Sequence, residues 1–130
     1  MNSCVDEFLA VDRYVFSAPM SNFSIPAGFK AYLNQIVRVG RTFSIAADGS
    51  YKSLVTGKKL LLITARGGSY PKDTPYYPYE MQEPYLRLIF GFPGITDVEV
   101  IHADHLLGGD EARQPAIAKA QSALKVLVAR

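Results

Sequence analysis

Residues 14–26 read YVFSAPMSNFSIP, and the reading of this stretch decides the fold. An apolar run from Tyr14 to Ala18 stops at Pro19, a short polar loop runs from Met20 to Ser24, and a helix opens near Pro26. That is a strand, a turn and a helix N-terminus in one line. In parallel α/β sheets, ligands sit beyond the carboxyl ends of strands and against helix N-termini. The loop therefore occupies a binding position. Ser21, Asn22 and Ser24 bring polar groups to it, and Met20 and Phe23 bring apolar surface.

Working outward, residues 25–39 carry Ile25, Phe29, Tyr32, Leu33, Ile36 and Val37 on one helical face. Ser24 or Asn22 suits the cap, Pro26 the first turn and Gly40 the stop. Upstream, the strand at 11–18 is nearly continuous in apolar residues, the pattern of a parallel strand covered on both faces. Residues 1–10 read as the tail of a helix with Val5, Phe8 and Leu9 on one side. Downstream, Asp48-Gly49 marks either a hairpin turn or a plain surface loop, two readings of equal weight. LLLI within residues 59–64 is the strongest buried-strand signal. A Pro- and Tyr-rich segment follows, then a helix through Phe92 with Met81, Tyr85, Leu88, Ile89 and Phe92 on one face. Residues 97–103 form a third strand, and Glu99 and His102 interrupt its apolar run as on a sheet edge. The last helix is expected to start near Pro115, with Ile117, Ala120, Gln121, Leu124, Leu127 and Val128 in phase.

Strands alternating with helices predict a parallel sheet in one domain. Right-handed crossovers place the two linking helices on one face and the last helix on the other. At 130 residues the chain is long enough for a core, and 48% apolar with 20% charged residues is an ordinary globular balance. A net charge of +2 is too small to argue for nucleic acid, and no apolar run reaches membrane-span length. A single cysteine, Cys4, fits a reducing cytoplasm.

Two loops carry the candidate chemistry. Pro19, Met20, Ser21, Asn22 and Phe23 follow the first strand; Ala65, Arg66, Gly67 and Gly68, leading to Tyr70, follow the second. Adjacent parallel strands ending in such loops define a crevice along the sheet top. Gly67-Gly68 lets backbone N–H groups approach a flat polar ligand with no Cβ between. Asn22 can bond the edge of a heteroaromatic ring, while Met20, Phe23 and Tyr70 flank its faces. The plainer reading makes Asn22 or Ser24 a helix cap and Gly67-Gly68 a tight turn; from the residues alone the two are evenly matched. His102 and His105 find a third metal ligand only in Asp104 or Asp110, so solvated loop histidines are the favoured reading. Cys4 has no basic neighbour and reads as inert. No nucleophile-elbow motif accompanies the histidines. Tyr70, Tyr76, Tyr77, Tyr79 and Tyr85 fit a lid or partner surface ahead of plain packing.

Three longer stretches carry a resemblance. APMSNFSIPAGFKAYLNQIVRVGRTF, LVTGKKLLLITARGG and LIFGFPGITDVEVIHAD resemble the FMN-dependent NADH-azoreductase family and its NAD(P)H:quinone reductase relatives. The resemblance implies an α/β, flavodoxin-like three-layer α/β/α domain. It implies that Pro19, Met20, Ser21, Asn22 and Phe23 hold the isoalloxazine ring of FMN. Ala65, Arg66, Gly67 and Gly68 would line its other polar edge, with Tyr70 beside them. Phe92 and Phe43 are expected in the substrate pocket, Phe92 reaching it across a two-fold homodimer. NADH or NADPH would supply hydride to the flavin, which would then reduce an azo compound or quinone, in the cytoplasm and without nucleic-acid or membrane partners. Three departures accompany the resemblance. Ser21 stands where an aromatic is common, and Ser69-Tyr70-Pro71 where a histidine is frequent. The sequence also opens inside the family's second helix, so a phosphate loop is absent and strands 3-4-5 of a 2-1-3-4-5 order are expected, an N-terminally truncated domain. The competing expectation is a non-catalytic, truncated flavodoxin-like remnant that acts through protein association.

Overall fold

The structure, a computed structural model, describes residues 3–129; the part of the expected first helix at positions 1–2 lies outside them. The described chain runs α1 (Ser3–Leu9), β1 (Arg13–Pro19), α2 (Ala27–Ile36), β2 (Phe43–Ile45), β3 (Tyr51–Ser53), β4 (Lys59–Ala65), α3 (Glu83–Gly91), β5 (Asp97–Ala103) and α4 (Asp110–Val128). β1, β4 and β5 form one parallel sheet in that spatial order, as the alternation predicts. β4 lies in the middle, with Lys59 opposite Arg13 on one side and Asp97 on the other.

The core is aromatic on one face of this sheet. Tyr14 stacks on Phe8 at 4.6 Å between ring centroids, and its hydroxyl donates to the Phe8 carbonyl, fastening α1 to β1. Phe16 meets Phe29 of α2 at 5.5 Å and Phe90 of α3 at 5.3 Å. Leu60 and Leu62 of β4 share that core with Leu33, Ile36, Leu86 and Ile95. The opposite face is covered by α4, which packs on β5. The expected division of helices between the two faces is present.

Four details differ from the sequence expectation. β1 is covered on one face only: Tyr14 and Ala18 are buried, whereas Val15 is 66% exposed because α4 lies over β5 and not over β1. α2 ends at Ile36 rather than near Gly40, since the buried Thr42 hydroxyl donates to the Ile36 carbonyl at 2.9 Å and accepts from the Arg38 N–H at 2.8 Å. α3 buries Leu86 and Phe90, and Gln82 just ahead of it is buried too; Leu88 is 68% exposed and Met81 points outward. α4 starts at Asp110, five residues ahead of the expected start, with Asp110 and Glu111 placed favourably at the positive end of the helix dipole and Pro115 enclosed in the helix. Along α4, Ile117, Ala120, Leu124 and Leu127 are half-buried, whereas Gln121 and Val128 face solvent.

Of the two readings of Asp48-Gly49, the hairpin is the one formed. β2 and β3 pair antiparallel across it, Gly49 takes a φ of 86°, and the Asp48 carboxylate accepts from the Ser50 N–H at 2.9 Å.

Candidate functional site

The carboxyl ends of β1 and β4 lie side by side, so the two candidate loops do as well. The Met20 N–H donates to the Ala65 carbonyl at 2.9 Å, carrying the strand ladder into the loops and joining them. Ser21 and Ser24 exchange backbone hydrogen bonds at 3.1 and 3.0 Å. That closure turns the chain so sharply that Asn22 (φ 46°) and Phe23 (φ 70°) both take left-handed backbone. Asparagine accepts this conformation with little penalty, but phenylalanine does not. Strain of this kind persists where the surroundings over-determine it. Here the Met81 N–H donates to the Phe23 carbonyl at 2.9 Å and the Ser24 hydroxyl to the Met81 carbonyl at 3.3 Å. The expected cap is not made: Pro26 stands at the N-cap of α2 with no side-chain cap bond, and Asn22 is exposed at the loop tip.

The second loop is held from the other side. The Arg66 N–H donates to the Ala103 carbonyl at 2.9 Å, extending the β4–β5 ladder. Carbonyls of Arg66, Gly67 and Gly68 accept from Leu106, Leu107 and His105 at 3.1, 3.2 and 3.1 Å. With these carbonyls engaged, the N–H groups of Gly67 and Gly68 donate to no backbone carbonyl among the described residues. A Cβ on Gly67 would stand 2.6 Å from the Leu107 Cδ1, so the missing side chain lets Leu107 lie against this loop. Tyr70 closes this end, its ring edge-on to Phe23 at 6.3 Å; Phe23 also meets Tyr79 at 5.3 Å. An open cavity of about 500 Å³ adjoins, bounded by Gly68, Tyr70, Thr74, Tyr76 and His105. The Tyr-rich segment is thus surface rather than core: Tyr76, Tyr77 and Tyr79 are all exposed, and Tyr85 is half-buried.

Four charged or polar groups lie beneath the loops: Arg66 and Asp104, together with Glu80 and Gln82, which the sequence reading passes over. The Arg66 side chain is 5% exposed and ion-paired to Glu80, itself 8% exposed. It also forks onto Asp104, Nε to Oδ1 at 2.7 Å and Nη2 to Oδ2 at 3.0 Å. The other Glu80 oxygen accepts from the N–H groups of Gln82 and Glu83 at 2.7 and 3.0 Å, capping α3. Gln82 is fully buried; its Nε2 reaches the Ala18 carbonyl at 3.5 Å and its Oε1 has no partner among the described residues. The only hint in the sequence was the acid spacing ahead of the Pro84 helix start, which marks a helix N-terminus.

His102 is structural. Its Nδ1 meets the Thr64 hydroxyl at 2.5 Å and its Nε2 meets Glu83 Oε1 at 2.7 Å, tying β5 to β4 and α3. The His102 hydrogen bond, with help from Arg87, holds the Glu83 carboxyl down at about 2. His105 sits apart on a left-handed turn (φ 60°). Among the described residues no three His, Cys, Asp or Glu side chains converge on a metal position.

Phe43 and Phe92 do meet, at 4.8 Å, with Tyr51 against Phe92 at 5.2 Å. They meet at the wrong end of the sheet for a site within one chain. Phe92 follows the C-terminus of α3, whose N-terminus lies at the loops. Nine helical residues rise about 13 Å, so the length of α3 stands between the pair and the crevice. A further cleft of about 380 Å³, lined by Val15, Leu61, Glu99 and Leu127, lies on the α4 side of the sheet and includes neither loop.

A family model described as flavodoxin-like fold matches residues 1–128. The chain belongs to the flavodoxin-like family. It is 57% identical over 129 residues to FMN-dependent NADH:quinone oxidoreductase 2 of Trichormus variabilis, covering 98% of this chain and 62% of that relative. It is 55% identical to FMN-dependent NADH:quinone oxidoreductase of Nostoc sp., with the same coverage of 98% and 62%. A solved FMN-dependent NADH-azoreductase from Bacillus anthracis, in complex with FMN, superposes with a TM-score of 0.82 at 31% identity, over 95% of this chain and 59% of that one. The chain thus spans less than two thirds of the length of these relatives. The flavodoxin-like assignment agrees with the parallel sheet and the placement of both loops at its carboxyl edge.

Proposed function

We propose that this flavodoxin-like chain forms the ring-binding part of an FMN-dependent oxidoreductase that takes hydride from NADH or NADPH and reduces quinones or azo compounds. One observation carries the reading: the Met20–Ala65 hydrogen bond joins two loops that offer the complementary parts of a site for a flat heteroaromatic ring. Unengaged amides at Gly67 and Gly68 and the exposed Asn22 supply polar contacts for the ring edge. Met20, Phe23 and Tyr70 supply apolar flanks, and Pro19, Ser21 and Ala65 shape the floor. The residues present therefore fit an isoalloxazine. The chemistry bound FMN supplies there is two-electron transfer between a nicotinamide and the acceptor. The chain's own part is to orient the ring and to keep one face open beside the Tyr70–Tyr76 cavity for a second flat molecule.

The similarity to named quinone oxidoreductases and to an azoreductase supports the same reading. Phe43 and Phe92 enter this proposal only through a two-fold homodimer, in which one copy's aromatic pair faces the other's crevice. The test is titration of FMN by flavin fluorescence. Asn22→Ala removes an edge contact and is expected to weaken binding by about 1 kcal/mol, roughly fivefold to tenfold. Unchanged affinity in Asn22→Ala and Phe23→Ala together would place the ring elsewhere.

A further inference from the structure

We propose that the Arg66 side chain is a positioning residue for the ring site, acting through Tyr70, and that Glu80 and Asp104 exist to hold it there. The inference rests on the proposed flavin site but concerns groups which that proposal does not use. A cation at the lip of a crevice would ordinarily be read as an anion ligand. This one is not available for that: it is 5% exposed and both its edges are taken by carboxylates.

What it offers the crevice is a flat face. The guanidinium carbon lies over the Tyr70 ring, 5.1 Å from its centre, a cation–π contact that arginine makes well because its charge is delocalised and weakly hydrated. Phe23 meets the same ring edge-on, so Tyr70 is held between the buried cation and the strained first loop. The Tyr70 hydroxyl lies within van der Waals reach of the Gly68 α-carbon region, where an added Cβ would stand 3.7 Å away. Arg66 thus sets where the phenol stands relative to the Gly67-Gly68 amides.

Its own place is fixed three ways. Its backbone is in the β4–β5 ladder, Asp104 clamps the fork from the β5 side, and Glu80 clamps it from the α3 side. Glu80 is simultaneously bound to the first N–H groups of α3, so its position is set by the helix and not by rotamer choice. A fork held at both edges leaves its planar face pointing in a single direction, which a lysine ammonium has no means to do.

The experiment compares the wild type with Tyr70→Leu, with Arg66→Met/Glu80→Gln, and with all three substitutions combined. The paired change removes the two most deeply buried charges together; Asp104 loses its partner but its side chain is 23% exposed and reaches water, and glutamine keeps an oxygen for capping α3. Arg66→Lys/Glu80→Gln serves as a second variant if the first folds poorly. The first readout needs no flavin: fluorotyrosine is incorporated and the Tyr70 resonance is assigned by its loss in Tyr70→Phe. We expect that resonance to move to the position of solvent-exposed fluorotyrosine in the paired variant; an unmoved resonance overturns the inference. The second readout is FMN affinity. Tyr70→Leu and the paired variant should each weaken it about tenfold, and the combined variant should be no weaker than either, because Arg66 acts through Tyr70. Additive losses overturn the inference. Failure of the wild type to bind FMN while the resonance moves as expected would count against the flavin reading and leave the positioning of Tyr70 by Arg66 established.

Discussion

At the scale of single residues, the site depends on two that break local rules. Phe23 stands in left-handed backbone where glycine or asparagine would be at ease, and Gly67 has no side chain where any other residue would have one. The need for the second was legible: a Gly-Gly pair after a buried strand signals close approach to backbone. The first was not, because nothing in the string SNFS says that Ser21 and Ser24 bond each other across the turn. Gly67→Ala should separate the two roles of this position. Gly67 is not in positive-φ backbone, and the atom its new methyl meets is the tip of Leu107, which is 88% exposed and free to move. Stability should change by less than about 1 kcal/mol in urea unfolding, while FMN affinity falls at least fivefold as the methyl covers the amides. Loss of the fold instead would show that Leu107 is fixed. Glu83 gives a pH prediction. Its carboxyl, held near 2 against an ordinary value of 4.5, contributes stability above pH 4.5 that fades as pH falls through 2. The group is 30% exposed, so the solvent-screened contribution is on the order of 1 kcal/mol. Thermal unfolding should show Glu83→Gln below the wild type at pH 6 and level with it near pH 2. An equal deficit at both would remove the carboxylate from the explanation.

Among the elements, the strands are plain in the sequence and the helix faces less so. LLLI announced β4, and its register with both neighbours follows from alternate burial. The hydrophobic pattern of α3 points to a face about one residue out of phase with the buried one. Large apolar side chains at Met81, Leu88 and Phe92 outweighed Gln82, which is in the core because its amide reaches the end of β1. A polar residue held by a single backbone carbonyl leaves no trace in a hydrophobic pattern. The start of α4 departs from the sequence pattern for the opposite reason: Pro115 reads as a boundary, whereas the helix runs through it and forgoes the bond to Glu111. Because residue 115 is exposed, Pro115→Ala should restore that bond without repacking and raise stability by about 1–3 kcal/mol, read as a higher Tm. A lower Tm would mean that the proline stiffens the unfolded chain more than it weakens the helix.

For the molecule as a whole, the layout of aromatic surface matters most. Phe23, Tyr76 and Tyr79 are exposed at one end of the sheet, Tyr51 and Val39 at the other, and one chain has no means of bringing the two ends together. If two copies pair so that each end completes the other, the site is shared. Mixing Asn22→Ala with Phe43→Ala, each weak alone, should then regenerate intact sites in mixed dimers and recover about a quarter of wild-type quinone reduction at equal mixing. Activity no higher than the mean of the two parents would confine each site to one chain.

The middle position of β4 also governs the order of events in time. Its partners on the sheet are 46 and 38 residues distant, Arg13 and Asp97 opposite Lys59, so neither pairing grows from a local turn. The β2–β3 hairpin, whose innermost pair is Ile45 and Tyr51, can close early and alone. The long closures are slow by comparison, since loop entropy is spent before contacts repay it. The Met20–Ala65 bond is the last rung of one such closure. A refolding chain therefore acquires its crevice only as the sheet finishes, and flavin quenching followed in a stopped-flow instrument would clock the completion of the fold.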